Sequence, residues 1–74
     1  MPKTIHSKKY KEFIIKLRKA RLGAGLTQKE AAKKLQRPQS YMSKVEAGEQ
    51  RVDIIELKAF SGLYNKPINY FMEG

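Results

Sequence analysis

Four side chains that can donate or accept hydrogen bonds lie close together in the middle of the chain: Gln39, Ser40, Ser43 and Lys44. The apolar residues Met42 and Val45 are three apart, which predicts an amphipathic helix that turns both inward. At ~100° per residue, the polar side chains and Ala47 then face outward, and Gln39 stands at the leading end. Such a face can exchange hydrogen bonds with base edges in the major groove of DNA. An ordinary solvated helix face is the alternative interpretation.

Catalytic chemistry has little support in the sequence. The chain has no cysteine and one histidine, His6, which has no partner at a metal-ligand spacing and is interpreted as a surface residue. The few acidic residues fall mainly at expected helix starts or in loops. Gly23 and Gly25 follow no strand, so they form no phosphate-binding glycine motif. We therefore expect no enzyme activity, no metal site and no cofactor.

A short helix must precede the polar helix and support it. Thr27 and Glu30 have the spacing of a capping box, which predicts a helix start at Thr27. Ala31 and Ala32, with Leu35, form a small apolar face that allows a neighbouring helix to approach closely. Pro38 disfavours a helical residue before it and suits the start of the next helix. The sequence therefore predicts two short helices joined by a tight turn.

Three further helices flank this pair. A helix over Lys8–Leu22 has an apolar stripe, and Asp53 and Glu56 resemble a second capping box that starts a fourth helix. Ile68–Met72 is long enough for a short fifth helix. The stripe of the first helix comprises Tyr10, Phe13, Ile14 and Leu17. The expected inner face of the fourth comprises Ile54, Leu57, Phe60, Ser61 and Leu63. In the fifth, Ile68 and Phe71 are expected to pack inward, with Tyr70 and Met72 more exposed. We predict an all-α, five-helix domain over residues 8–74, preceded by a flexible basic arm over residues 1–7.

Arg21 and Glu46 occupy positions that the apolar stripes would otherwise give to hydrophobic side chains. Arg21 follows Leu17 by one turn, and Glu46 follows Met42 by one turn. A lone charge at either position would carry a desolvation cost of several kcal/mol. We therefore expect the two to form one partly buried ion pair between the first and third helices.

The charge is strongly one-sided. Sixteen Lys and Arg against seven Asp and Glu give a net charge of +9. Residues 1–37 carry twelve bases and two acids, whereas residues 38–74 carry four bases and five acids. This asymmetry suits a polyanionic partner, either nucleic acid or an anionic membrane. Membrane docking is disfavoured because the core needs the stripe of the first helix, and no apolar run approaches the ~20 residues of a membrane span. A cytoplasmic protein is expected.

Two segments, LTQKEAAKKL (26–35) and PQSYMSKVEAGE (38–49), resemble the lambda-repressor-like, Xre-type helix-turn-helix family. The resemblance extends to Leu17–Arg21 and to Leu63–Phe71. It implies that the third helix, about residues 39–47, lies in the major groove while the second crosses the phosphate backbone. Two residues depart from the family pattern. Gln36 replaces the usual turn glycine, and Pro38 replaces the usual Ser or Thr cap of the third helix.

The resemblance implies roles for individual residues. Arg21 and Glu46 match a structural ion pair of the family. Expected base-reading residues are Gln39, Ser40, Ser43 and Lys44. Expected phosphate contacts are Gln28, Lys29, Arg37, Tyr41 and Arg51. For Tyr41 two interpretations are open: a place at the edge of the core, which is favoured, and a phosphate contact through its hydroxyl.

The sequence thus predicts a sequence-specific regulator of transcription, such as a repressor, that binds a double-stranded DNA operator as a homodimer. Half-sites about one helical turn apart, ~34 Å, are expected, and the exposed part of the last helix is the candidate dimer surface. One alternative is an antitoxin-like or phage-associated module that acts with a protein partner. Another is an RNA-binding protein, although the aromatic residues lie mostly at core positions, where they cannot stack on bases.

Overall fold

A computed structural model describes residues 7–72 of the chain. The predicted arm, apart from Ser7, lies outside the described residues, and so does His6. Within residues 7–72 the chain forms five helices and no strand. They are α1 (Lys8–Gly23), α2 (Gln28–Leu35), α3 (Gln39–Glu46), α4 (Ile54–Tyr64) and α5 (Ile68–Met72). The all-α, five-helix prediction is confirmed.

Local signals account for where the helices begin. The Ser7 hydroxyl accepts a hydrogen bond from the Tyr10 amide at the start of α1. Thr27 and Glu30 form the predicted capping box of α2, and the hydrogen bonds of this box lower the pKa of the Glu30 carboxyl. A second capping box starts α4. Helix α3 has no side-chain cap, because Pro38 occupies the capping position.

Each of the first four helices ends at or before a residue with a left-handed backbone. Two of these residues are glycines, Gly25 and Gly48; the other two are Gln36 (φ 60°) and Asn65 (φ 56°). The amide of Arg37 donates to the carbonyl of Ala32 at 2.9 Å, which is the hydrogen bond of a Schellman motif. Gln36 therefore adopts the conformation that favours glycine, as the departure from the family pattern implied. The resulting tight turn sets the angle between α2 and α3.

One hydrophobic core holds the five helices together. Helix α1 packs against α3, α4 and α5, and α2 packs against α3 and α4. Ala31 and Ala32 are buried, and their small side chains let α2 and α3 approach closely, as predicted from the sequence. The largest fully buried side chains are Phe60, Phe71, Leu17, Met42 and Val45.

The predicted inner face of α4 needs correction. Leu57 and Phe60 are buried as expected, but Ile54 is 62% exposed and Tyr64 is buried instead. Residues Leu57, Phe60 and Tyr64 follow the i, i+3, i+7 pattern of one helix face. At 100° per residue, Ile54 lies about 90° from the centre of that face.

Candidate nucleic-acid interface

Helix α3 presents its polar side chains to solvent. Tyr41, Met42 and Val45 are buried and fix the rotation of the helix about its axis. Gln39, Ser40, Ser43 and Lys44 are all exposed, as is the neighbouring Ala47. The helix begins at Gln39, so Pro38 does not displace the predicted register. The surface formed by these four polar residues is called the α3 face below.

The first turns of α2 and α3 offer free backbone donors. In α2 the Thr27 hydroxyl accepts from the Glu30 amide, which leaves the amides of Gln28 and Lys29 as the other first-turn donors. In α3 no side chain caps the amides of Gln39 and Ser40. Free amides and the helix dipole make such ends favourable for anions, including phosphate.

Arg21 and Glu46 form the predicted ion pair. Arg21 Nε lies 2.7 Å from Glu46 Oε2, and Arg21 Nη2 lies 3.0 Å from Glu46 Oε1. Both side chains are more than nine-tenths buried. Arg21 Nη1 also donates to the carbonyl of Leu26 at 2.8 Å, and the hydrogen bond to Glu46 raises the pKa of the guanidinium. The pair ties the end of α1 to the end of α3 and to the loop before α2.

Gln28, an expected phosphate contact, is linked to this pair. Its side-chain amide nitrogen donates to Glu46 Oε1 at 3.1 Å, and the residue is half-buried at the first position of α2. Glu46 thus accepts from both Arg21 and Gln28. The contact fixes the orientation of the Gln28 amide beside the free first-turn amides of α2. Sequence reasoning missed this hydrogen bond, because nothing in the local spacing brings residues 28 and 46 together.

Lys29, Arg37 and Arg51 are exposed, as expected of phosphate contacts. Arg37 also contacts two neighbouring side chains, Glu56 and Tyr41. Its Nη2 lies 3.3 Å from Glu56 Oε2, and its guanidinium lies 4.6 Å from the centre of the Tyr41 ring. The Arg37 side chain remains 45% exposed, which leaves part of the guanidinium open to solvent.

Tyr41 is a core residue in the structure. Only 6% of it is exposed, and its ring stacks on Phe60 with centroids 6.3 Å apart. Burial, with a smaller contribution from Glu56, raises the pKa of its phenol to about 12. The core-edge alternative therefore describes Tyr41 better than the phosphate contact does.

The loop between α3 and α4 is held by a hydrogen bond that the sequence did not predict. The amide of Val52 donates to the Tyr10 hydroxyl at 3.1 Å. Tyr10 belongs to α1, and Val52 directly follows Arg51. The contact therefore anchors the backbone beside one of the expected phosphate-binding residues.

The described residues contain no cluster of three or more His, Cys, Asp or Glu side chains that could hold a metal ion. None of the described helices is long and apolar enough to cross a membrane.

Comparison with known proteins identifies the family. The family model described as helix-turn-helix matches residues 17–71, which include all of α2, α3 and α4 and most of α5. Searches of curated proteins and of solved structures returned no match. The five-helix fold, the tight α2–α3 turn and the family match agree with one another. The chain belongs to the lambda-repressor-like, Xre-type helix-turn-helix family of DNA-binding proteins.

Proposed function

We propose that this protein is a sequence-specific regulator of transcription that reads double-stranded DNA with the α3 face. The observation that carries the proposal is the joint exposure of Gln39, Ser40, Ser43 and Lys44 on a helix whose rotation the core fixes. Amide, hydroxyl and ammonium groups can form hydrogen bonds with base edges in the major groove. A rigid helix presents them in a single arrangement, which favours discrimination between base sequences.

Phosphate contacts would supply most of the affinity. Lys29, Arg37 and Arg51 are exposed, and the first-turn amides of α2 adjoin the Gln28 side chain. Cations that neutralise phosphates release condensed counterions, so the binding constant should fall steeply with salt. Such contacts position the protein on the duplex and carry no sequence information themselves.

A homodimer is part of the proposal. One module of this size contacts few base pairs, so two copies on a two-fold operator would be needed for useful selectivity. Met72 of α5 is 65% exposed and Ile54 of α4 is 62% exposed. Both line an apolar groove of about 220 Å³ together with Tyr10, Phe13, Val52, Asp53 and Leu57. This α4–α5 groove is the surface through which we expect a second copy to bind.

An RNA-binding function has less support. All seven aromatic residues fall within the described part of the chain, and each is buried or half-buried. Single-stranded RNA is usually recognised by bases stacking on exposed aromatic side chains. The α3 face contains no such platform.

The proposal is tested by selecting duplexes from a random library at moderate ionic strength and sequencing the bound fraction. We expect enrichment of a two-fold symmetric motif whose half-sites lie ~34 Å apart. Sedimentation of the selected complex should give two protein chains per duplex. Competition with structured and single-stranded RNA controls for general polyanion binding. Absence of any enriched motif, or stronger binding to RNA than to the selected duplex, would rule the proposal out.

A further inference from the structure

The outer face of α1 combines exposed aliphatic and cationic side chains. Ile15 is 53% exposed and Leu22 is 57% exposed. At 100° per residue these two lie on the side of α1 opposite the buried Leu17. Four exposed cations surround them: Lys8, Lys11, Arg18 and Lys19. This set of six residues is called the α1 outer stripe.

The α1 outer stripe points away from the α3 face. Helix α1 uses its inner side, with Leu17, Ala20 and Arg21 buried, to pack against α3, α4 and α5. Its outer side therefore faces away from α3 as well as from the core. The DNA-binding proposal therefore assigns no direct contact to the cations of the stripe.

The two aliphatic residues of the stripe have the seven-residue spacing found where two helices pack along each other. Ile15 and Leu22 are seven residues apart, and Arg18 lies between them at i+3. Aliphatic residues at this spacing can contact one side of a second helix. The charges beside them then determine which partner binds, because opposite charges attract and like charges repel. Two aliphatic side chains more than half exposed on one helix leave an apolar surface that a partner can cover.

The charges of the stripe are not matched within the described part of the chain. The ion pairs Arg21–Glu46 and Arg37–Glu56 use none of its four cations. The first turn of α1 contains no acidic residue, although the helix dipole favours negative charge at that end. Glu12, the one acid of α1, is half-buried at the margin of the stripe. Four cations against this one acid give the stripe a net positive charge, which favours an approaching carboxylate.

We propose that the α1 outer stripe binds an acidic amphipathic helix of another protein. Leucine or isoleucine side chains of that helix would cover Ile15 and Leu22, and its Asp and Glu side chains would pair with the cations. The proposal is separate from the proposed function, because its site lies on the opposite side of α1 from α3. A partner bound there would leave the α3 face free.

Other occupants fit the stripe less well. A second copy of α1 would place cations against cations, and like charges across an interface are unfavourable. A helix that lies in an anionic membrane needs a broad apolar face, often with aromatic residues, whereas this stripe has two aliphatic side chains. A phosphate backbone would pair with the cations but would leave Ile15 and Leu22 uncovered.

The test uses the complete chain, labelled with ¹⁵N, and a synthetic three-heptad helical peptide as the probe. The peptide has leucine at the seam positions and glutamate beside them, and a control peptide has lysine in place of each glutamate. We expect saturable binding of the acidic peptide, with the largest amide shifts in α1 at residues 8–22. The lysine peptide should not bind.

Matched variants identify the surface. Ile15→Gln and Lys11→Glu should each weaken peptide binding by about tenfold or more, the loss typical of a central contact. Ile55→Gln and Lys58→Glu change an isoleucine that is more exposed than Ile15 (69% against 53%) and an exposed lysine, both on α4, and they should leave peptide binding unchanged. Lys11→Glu places an acid near the start of α1, where the helix dipole favours it, so lost binding would not reflect a weakened fold. Circular dichroism confirms folding of every variant.

Three results would overturn the proposal. The first is absence of peptide-induced shifts in α1, or shifts centred on the α3 face. The second is equal weakening by the α1 and α4 variants, which would indicate general attraction of charges. The third is binding of α1 to anionic phospholipid vesicles or to a second copy of the chain, but not to the peptide. Duplex binding measured on the same variants reports separately on the proposed function.

Discussion

Lys44 is the residue at which base reading can be separated from phosphate contact. It is the one cation of the α3 face, and the ion pairs Arg21–Glu46 and Arg37–Glu56 do not involve it. Lys44→Ala should weaken binding to the selected duplex by about 1–3 kcal/mol and binding to random duplex by less. Lys29→Ala, on α2, should weaken both equally and reduce the slope of log K against log salt by about 1. Titrations over a range of salt concentrations measure both effects. Equal losses on both duplexes for Lys44→Ala would show that Lys44 contacts phosphate only.

The Arg21–Glu46 pair connects stability to the proposed interface. Arg21→Met leaves the buried Glu46 carboxylate without its cation, and breaking such a pair costs about 3–5 kcal/mol. The double change Arg21→Met with Glu46→Leu removes both charges, so it should recover most of that loss. Urea unfolding of the single and double variants measures the difference.

The same double variant separates folding from DNA binding. It removes the acceptor that orients the Gln28 amide, 3.1 Å away, so duplex affinity should stay reduced even where stability recovers. Full recovery of affinity would show that Glu46 does not position Gln28. Failure to recover stability would show that the buried pair contributes more than two well-packed apolar side chains can replace.

At the scale of the elements, the α2–α3 turn carries backbone strain. Gln36 has φ 60° and ψ 43°, a conformation that costs a residue with a Cβ roughly 1 kcal/mol or more. Gln36→Gly should raise the free energy of unfolding by up to about 1 kcal/mol, because glycine adopts this conformation without that cost. Gln36→Ala keeps the Cβ and is the control that should leave stability nearly unchanged. A glycine variant no more stable than the alanine variant would contradict the assignment of strain to this residue.

At the scale of the whole molecule, the proposed dimer depends on the α4–α5 groove. Met72→Glu places a charge on its exposed apolar rim and should shift the protein from dimer to monomer on the selected duplex, because burying that charge is costly. Leu22→Glu changes an aliphatic residue of similar exposure on α1 and should preserve the dimer. Sedimentation velocity with and without duplex distinguishes the two states. If Met72→Glu remains a dimer, the dimer interface lies on another surface of the protein.

The basic residues of the first half of the chain do not all lie on one side of the molecule. Residues 1–37 carry twelve of the sixteen bases. Four of these twelve belong to the α1 outer stripe, on the side of α1 opposite its buried residues. Their charges can raise the rate of encounter with a polyanion through the long-range field, whereas the direct phosphate contacts are assigned to other residues. Net charge alone could not make this distinction.

The sequence by itself determined the features that depend on neighbouring residues. Capping boxes at Thr27 and Asp53 and the left-handed position at Gln36 all involve groups within a few positions of each other, so local chemistry places the helix ends. Helical periodicity likewise identified Met42 and Val45 as the inner side of α3, which exposes Lys44 and its neighbours. The Arg21–Glu46 pair could be predicted although the two residues are far apart in the sequence. Each charge lies on the apolar stripe of its helix, and pairing offsets the cost of burying it.

Only the tertiary structure decided the contacts that cross between elements. The pairs Gln28–Glu46, Arg37–Glu56 and Tyr10–Val52 depend on the angles at which helices and loops meet, and no local spacing encodes those angles. The exchange of Ile54 for Tyr64 in the core has the same reason: the apolar residues of α4 allow more than one inner face, and the neighbouring helices decide which face is buried. Burial of Tyr41 was decided in the same way, by packing.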